Sequence, residues 1–223
     1  MSDDVGDLRR RARSGETEAQ GELGRRYLSG RGLKKNRRLA LQWLERAASS
    51  GDPSYQSYLG WVMLRVLDDR QLVATGIYWT KRAAEAGDVG AQHELGVLYA
   101  VGDLTRRNPK ISRMWYRRAD SSGSAEAAYN LGVMYWEGDG GPQSARMAHK
   151  LWHDAASRGE VLAISILAGG YKKGWFGLRQ DLRRASSLRR KLARIHKKSE
   201  DWVKRRSRRY PLPPEARLSS SAR

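Results

Sequence analysis

Ala19-Gln20-Gly21-Glu22-Leu23-Gly24-Arg25-Arg26-Tyr27-Leu28-Ser29-Gly30, with Ala40-Leu41-Gln42-Trp43-Leu44-Glu45-Arg46-Ala47-Ala48 after a short polar stretch, is written into this chain several times over. The pair Leu23-Gly24 returns as Leu59-Gly60, Leu95-Gly96 and Leu131-Gly132 at a constant step of 36 residues, and Leu167-Ala168 stands on the next step. Tyr27, Tyr99, Tyr135 and Tyr171 keep that step, with Met63 as the exception. So do Trp43, Trp79 and Trp115, with Leu151 next in line. Ala47-Ala48, Ala83-Ala84 and Ala155-Ala156 recur, Ala119-Asp120 being the weak copy, and Gly51, Gly87, Gly123 and Gly159 close the units. So many registers at one spacing define an array of about five repeats.

Each repeat reads as two helices. Ala19, Leu23, Gly24 and Tyr27 share one face at offsets of three and four, and the helix stops at Gly30, Gly102, Gly138 or Gly174, where glycine can take the left-handed conformation. Ala40, Trp43, Leu44, Ala47 and Ala48 share a face of the second. Asn36, Asn108, Ser144 and Asp181 precede the second helices; Asp52, Asp88 and Ser124 precede the first ones. Their side-chain oxygens suit N-caps. Pro53 and Pro109 follow a cap directly, where proline removes no hydrogen bond. Glycine and alanine let neighbouring helices approach, while Trp43 and Tyr27 fill the space between layers.

The combined pattern A-x-x-x-L-G-x-x-Y-x-x-G, a polar cap, then A-x-x-W-x-x-x-A-A-x-x-G resembles the Sel-one-like repeat family, a relative of the tetratricopeptide solenoids. The resemblance covers roughly residues 16–193. It implies a right-handed α-solenoid of helical hairpins that serves as a scaffold for protein–protein contacts. Secreted, cysteine-rich members are linked to cell-wall or penicillin chemistry; this chain has no cysteine, and that chemistry is not carried over.

The expected organisation is all-α: a capping helix in 1–15, an array in 16–198 with units near 16–51, 52–87, 88–123, 124–159 and 160–198, and a basic Pro- and Ser-containing tail in 199–223. Unit two carries Met63, Val66, Asp68 and Leu72 where others carry Tyr27, Gly30, Gly32 and Asn36, so its turn should differ. Unit five has one extra residue around Gly174-Trp175-Phe176-Gly177. Beyond it, residues 181–209 read as a longer basic helix ended by Pro211, Pro213 and Pro214.

Composition narrows the function classes. With no cysteine there is no disulfide framework, thiolate metal site or cysteine nucleophile, which fits a reducing compartment, here expected to be the cytoplasm. Met1-Ser2-Asp3-Asp4 is acidic with no apolar run behind it, unlike a secretory signal. No stretch is apolar enough to span a membrane. Nucleophile elbow, Walker loop and dinucleotide fingerprint are all lacking, so no enzyme and no cofactor are expected. The chain carries a net charge of +19, and its last 52 residues hold 18 Lys+Arg against 4 Asp+Glu.

Two places for function follow. By analogy with tetratricopeptide relatives, the concave, first-helix surface should present Arg25, Trp61, Arg65, His93, Tyr129, Trp136, Glu137, Lys172 and Lys173 to a protein partner. Their identities vary from unit to unit, so the framework does not dictate them. The rings among them either line that groove as anchors or pack between layers. At the basic end, Arg183, Arg184, Arg190, Arg194, Lys197, Lys198, Lys204, Arg205 and Arg208 recur at helical offsets with Trp202 and Tyr210 interleaved. They form either a solvated helix or a site for a polyanion such as nucleic acid. His149 and His153, four residues apart, could offer two imidazoles to a metal, but no third ligand is evident and no metal is expected. Their counterparts Arg113 and Arg117 suggest a partly exposed face.

Overall fold

The computed structural model describes residues 2–67 and 69–209, and the side chains of 4–67 and 69–198. The described residues contain eleven α-helices and no strand. A capping helix α1 (Ser2–Arg13) precedes the pairs α2 (Thr17–Ser29) and α3 (Arg37–Ala48), α4 (Pro53–Trp61) and α5 (Val73–Glu85), and α6 (Val89–Val101) and α7 (Pro109–Ser121). Then come α8 (Ala125–Glu137) with α9 (Ala145–Ser157), and α10 (Val161–Lys173) with α11 (Leu182–Arg209). They fall into two compact units, divided in the chain between Ala148 and His149.

The capping chemistry stands as the sequence implies. Asn36 Oδ1 accepts from Leu39 N at 2.9 Å, Asp88 Oδ1 from Ala91 N at 2.7 Å, and Asp181 Oδ1 from Arg184 N at 2.9 Å. Asp52, Asn108, Ser124 and Ser144 cap in the same way. Gly30 ends α2 at φ 80° and donates its N–H to Arg26 O, a left-handed geometry that a side chain would strain. The Leu-Gly pair has a packing reason: a Cβ on Gly24 would come within 2.7 Å of Leu44 Cγ, so α2 and α3 could not lie as close.

In the first unit α2 packs on α3, α4 on α5 and α6 on α7, and each second helix packs on the next first helix. The core is accordingly a series of layer clusters. Leu8, Ala12, Ala19 and Leu23 form the first; Leu44, Ala48, Leu59, Val62 and Met63 the next; Ala83, Ala84, Leu95, Leu98 and Trp115 another. Buried glutamines tie the layers together. Gln20, Gln56 and Gln92 each donate from the side chain to a carbonyl in the last turn of the preceding helix: Ala12 O at 3.1 Å, Ala48 O at 3.3 Å and Ala84 O at 3.1 Å. They too stand 36 residues apart.

The recurring tryptophans are not equivalent. Only Trp115 is buried; Trp43 and Trp79 are half-buried. An arginine one helical turn on lies against each ring, 4.7 Å from the Trp43 centroid for Arg46 and 4.7 Å from the Trp115 centroid for Arg118. Arg82 is 6.0 Å from that of Trp79. The register puts all three rings toward the layer, but its depth depends on neighbours that differ between units.

Unit two departs as its sequence implies. Val62–Val66 is a π-turn in which Leu67 N donates to Val62 O, and a short 3₁₀ turn, Arg70–Leu72, leads into α5. Asp68 lies outside the described residues. In the second unit the extra residue is absorbed at Trp175-Phe176. Phe176 takes φ 59°, and its ring meets buried Trp152 edge-on at 5.6 Å, leaving Trp175 exposed. Helix α10 packs on α11, burying Ala185 and half-burying Leu188, Leu192 and Ile195. The side chains of Trp202, Lys204, Arg205 and Arg208, and all of Tyr210 and the prolines beyond it, lie outside the described residues.

Candidate partner-binding face

The first helices of the first unit carry a connected set of side chains. Ser57 and Tyr58 stand one turn before Trp61 on α4, where offsets of four and three bring each beside that ring. The Trp61 ring stacks on Tyr58 with centroids 6.0 Å apart and 28° between planes, yet remains 47% exposed. Arg25 reaches across from α2, its guanidinium 6.0 Å from the Tyr58 centroid and its Nε 3.1 Å from Glu22 Oε2. On the other side Arg65 donates to Glu94 Oε1 of α6 at 2.8 Å and lies 3.7 Å from Asp103 Oδ2.

Between α4 and α6, Ser57, Tyr58, Trp61 and Glu94 border a depression of about 320 Å³, with Arg25 and Arg65 held beside it through Tyr58 and Glu94. Buried Thr80 and Ala91 line it together with Ser57, Tyr58, Trp61 and Glu94. Burial pushes the Tyr58 hydroxyl above the ordinary tyrosine range, against the pull of the Arg25 cation. Burial also opposes ionisation of Glu22, but hydrogen bonds from Arg26 and Arg25 hold its carboxyl below the usual range. The site is thus an aromatic wall with an ion-paired rim. A neutral ring there can take apolar or cationic groups, and the flanking charges can orient a polar backbone.

Of the residues singled out in the sequence, Arg25, Trp61 and Arg65 come together here. His93 is half-buried, 3.2 Å from Asn130 Nδ2 and 5.6 Å from the Tyr116 ring. Tyr129 and Trp136 are half-buried on α8, and Glu137 is exposed at its end. Lys172 and Lys173 belong to the second unit; both are exposed, and Lys173 Nζ sits 4.0 Å over the Trp175 ring. Arg183, Arg184, Arg190, Arg194, Lys197 and Lys198 are exposed along α11. Sequence reasoning missed Tyr58 and Glu94. Position 58 is occupied by Glu22, Glu94 and Asn130 in other units, so only the varying polarity at that step could have drawn attention to it.

The two histidines have framework duties. His153 Nε2 is 3.1 Å from the Tyr171 hydroxyl; one repeat earlier, Arg117 meets the Tyr135 hydroxyl at 3.2 Å, and in the first repeat Arg9 meets that of Tyr27 at 3.5 Å. His149 Nε2 is 2.6 Å from Phe176 O, just as Arg113, one repeat earlier, donates to Pro142 O at 3.2 Å. Both positions therefore join a second helix to the next first helix or its turn. Arg113 corrects the expectation of a partly exposed face: it is 5% exposed, its guanidinium 3.6 Å from the Tyr135 centroid. Among the described residues no group of three or more His, Cys, Asp or Glu is placed to hold a metal, and no helix is long and apolar enough to cross a membrane.

The Sel1 repeat model matches residues 17–52, 69–88, 89–123 and 125–160. Among solved structures, a protective antigen of uropathogenic Escherichia coli strains displaying an SLR fold superposes with a TM-score of 0.74 at 29% identity; the match covers 84% of this chain and 40% of the antigen. This chain thus spans well under half of that protein. A Sel1 repeat protein from Oxalobacter formigenes gives a TM-score of 0.70 at 25% identity, covering 83% of this chain and 74% of that one. An immunity protein from Pseudomonas aeruginosa, at 19% identity and a TM-score of 0.51 over 86% of this chain and 73% of its own, shares the fold alone. No curated protein matches.

Proposed function

Since this chain belongs to the Sel1 repeat family, whose helical repeats mediate protein interactions, we propose that it is a non-catalytic adaptor that binds a partner protein segment on the first-helix face of its first unit. The observation that carries this reading is Trp61. A large ring 47% exposed, stacked on Tyr58 beside a depression of about 320 Å³, is what an interface anchor needs. Arg25 and Arg65 on either side supply a polar rim that can fix the register of a bound backbone. His93, Tyr129, Trp136 and Glu137 extend the same reading along α6 and α8; Lys172 and Lys173, on the first helix α10 of the second unit, are a separate set of exposed cations that a partner can meet there.

The test is site-specific photo-cross-linking. A photoreactive phenylalanine analogue replacing Trp61 should capture a discrete protein from native lysate, with or without nuclease. The same group replacing exposed Glu85, at the end of α5, should not. Equal capture at the two positions, or none at Trp61, would remove the face from consideration. The Tyr58→Ala/Trp61→Ala double variant should lose the partner while keeping its helical circular dichroism.

A further inference from the structure

Residues 182–198 of α11 hold eight Lys+Arg and no Asp or Glu. At 100° per residue, Arg183, Arg190, Arg194 and Lys197 fall within about 60° of one another around the helix. Ala185, Leu188 and Leu192 occupy the opposite side. That opposite side is spoken for: Ala185 is buried, and Leu188 and Leu192 are half-buried. The four cations are exposed, and none of them has an ion-pair partner among the described residues. Two cations off this line are engaged: Arg184 with Asp181 at 3.3 Å and the Tyr171 hydroxyl at 3.3 Å, and half-buried Lys191 with Ala156 O.

We propose that this face of α11 is a docking surface for the phosphate backbone of nucleic acid. Three features choose that partner over other polyanions. A helix that binds an anionic membrane needs a free apolar face to sink into the interface, and between residues 185 and 195 of α11 that face is packed, with Ala185 buried and Leu188, Leu192 and Ile195 half-buried. An acidic protein surface would be expected to offer or receive aromatic or apolar anchors, and the exposed line from Arg183 to Lys197 has none. Phosphate needs only fixed positive charge. Arg183 and Lys197 are about 21 Å apart along the axis at 1.5 Å per residue. Duplex DNA carries a charge about every 1.7 Å of axis over its two strands, or every 3.4 Å along one, so that span matches about six phosphates of a single strand. Packing on α10 holds the row straight, so little order is lost on binding. Three of the four are arginines, whose planar fork can grip a phosphate with two hydrogen bonds.

The test uses the full chain and a fluorescein-labelled random-sequence DNA duplex, with affinity measured by anisotropy across a salt series. In one variant Arg183, Arg190, Arg194 and Lys197 become Gln; in another, four exposed cations of the first unit, Lys34, Arg38, Arg106 and Lys110, become Gln. Each lost phosphate contact should remove about 0.9 from the slope of log affinity against log salt. The α11 variant should therefore lose about 3.6 of slope and the other variant little. Both should keep the wild-type helical signal, and a misfolded α11 variant is replaced by single Gln changes, each expected to remove about 0.9. Equal slopes for wild type and the α11 variant overturn the proposal. So does an equal loss in both variants, which means diffuse attraction, or tighter binding to phosphatidylserine vesicles that displaces the duplex.

Discussion

Trp115→Ala isolates what layer packing contributes. The ring is 5% exposed and lies in a cluster with Leu64, Ala83, Ala84, Ala91, Leu95 and Leu98. A buried tryptophan removes roughly 200 Å² from water, worth about 5 kcal/mol at 25 cal/mol per Å². Alanine keeps a methyl of that, leaving a loss of about 4 kcal/mol, within the range for such truncations. For a chain of this size that is a fall in Tm of about 8–16 °C. Trp79→Ala should cost about 1–2 kcal/mol less, because solvent already reaches its ring and no sealed cavity is left. Thermal and urea unfolding followed by circular dichroism measure both. The m-value must be compared as well, since repeat arrays lose cooperativity when one interface weakens. Equal losses for the two variants, or a larger one for Trp79, would refute the assignment of depth.

Two further outcomes follow from the same geometry. Gln56→Leu should cost about 0.5–1.5 kcal/mol despite adding apolar surface, because Ala48 O loses its side-chain donor and keeps the backbone bond from Gly51 N at 3.3 Å; urea midpoints check it, and an unchanged midpoint means water has replaced the amide. The second concerns acid. Burial first, then the neighbouring cations of His149 and Arg184, hold the His153 pKa below its ordinary 6.5. A group depressed in the fold contributes stability above its unfolded pKa and loses it as pH falls through the folded value. Stability should therefore decline below about pH 6.5, and His153→Gln should flatten that decline in a pH series of urea unfolding.

Much of this was legible from one sequence, for reasons that are local. A cap needs a short polar side chain beside a free N–H, and Asn36, Asp52, Asp88 and Ser144 advertise that requirement wherever they stand. The glycines after α2, α6, α8 and α10 mark a backbone angle. The altered turn of unit two showed in Met63, Val66 and Leu72 because they replace an otherwise repeated pattern. The glutamine series 20, 56 and 92 was equally regular but lay unread, since a polar residue inside a helix ordinarily suggests a solvated face.

The site was less legible. Trp61 and Arg65 could be placed on the first-helix face by register, but Tyr58 and Glu94 are recognised only through the contacts they make across helices. Arg113 and His149 looked like members of a partly exposed series. The chain wraps a turn around each, and a guanidinium over the Tyr135 ring or an imidazole against Phe176 O becomes part of the framework. Periodicity by itself determined that the protein is all-α, that it repeats every 36 residues, and where its helices begin and end, because those depend on hydrogen bonds and offsets within a few residues of chain. Tertiary structure alone decided which of three tryptophans at one register is buried and which aromatics stay exposed. Burial is set by the neighbour that packs on top, and in an array with imperfect copies that neighbour changes from one layer to the next.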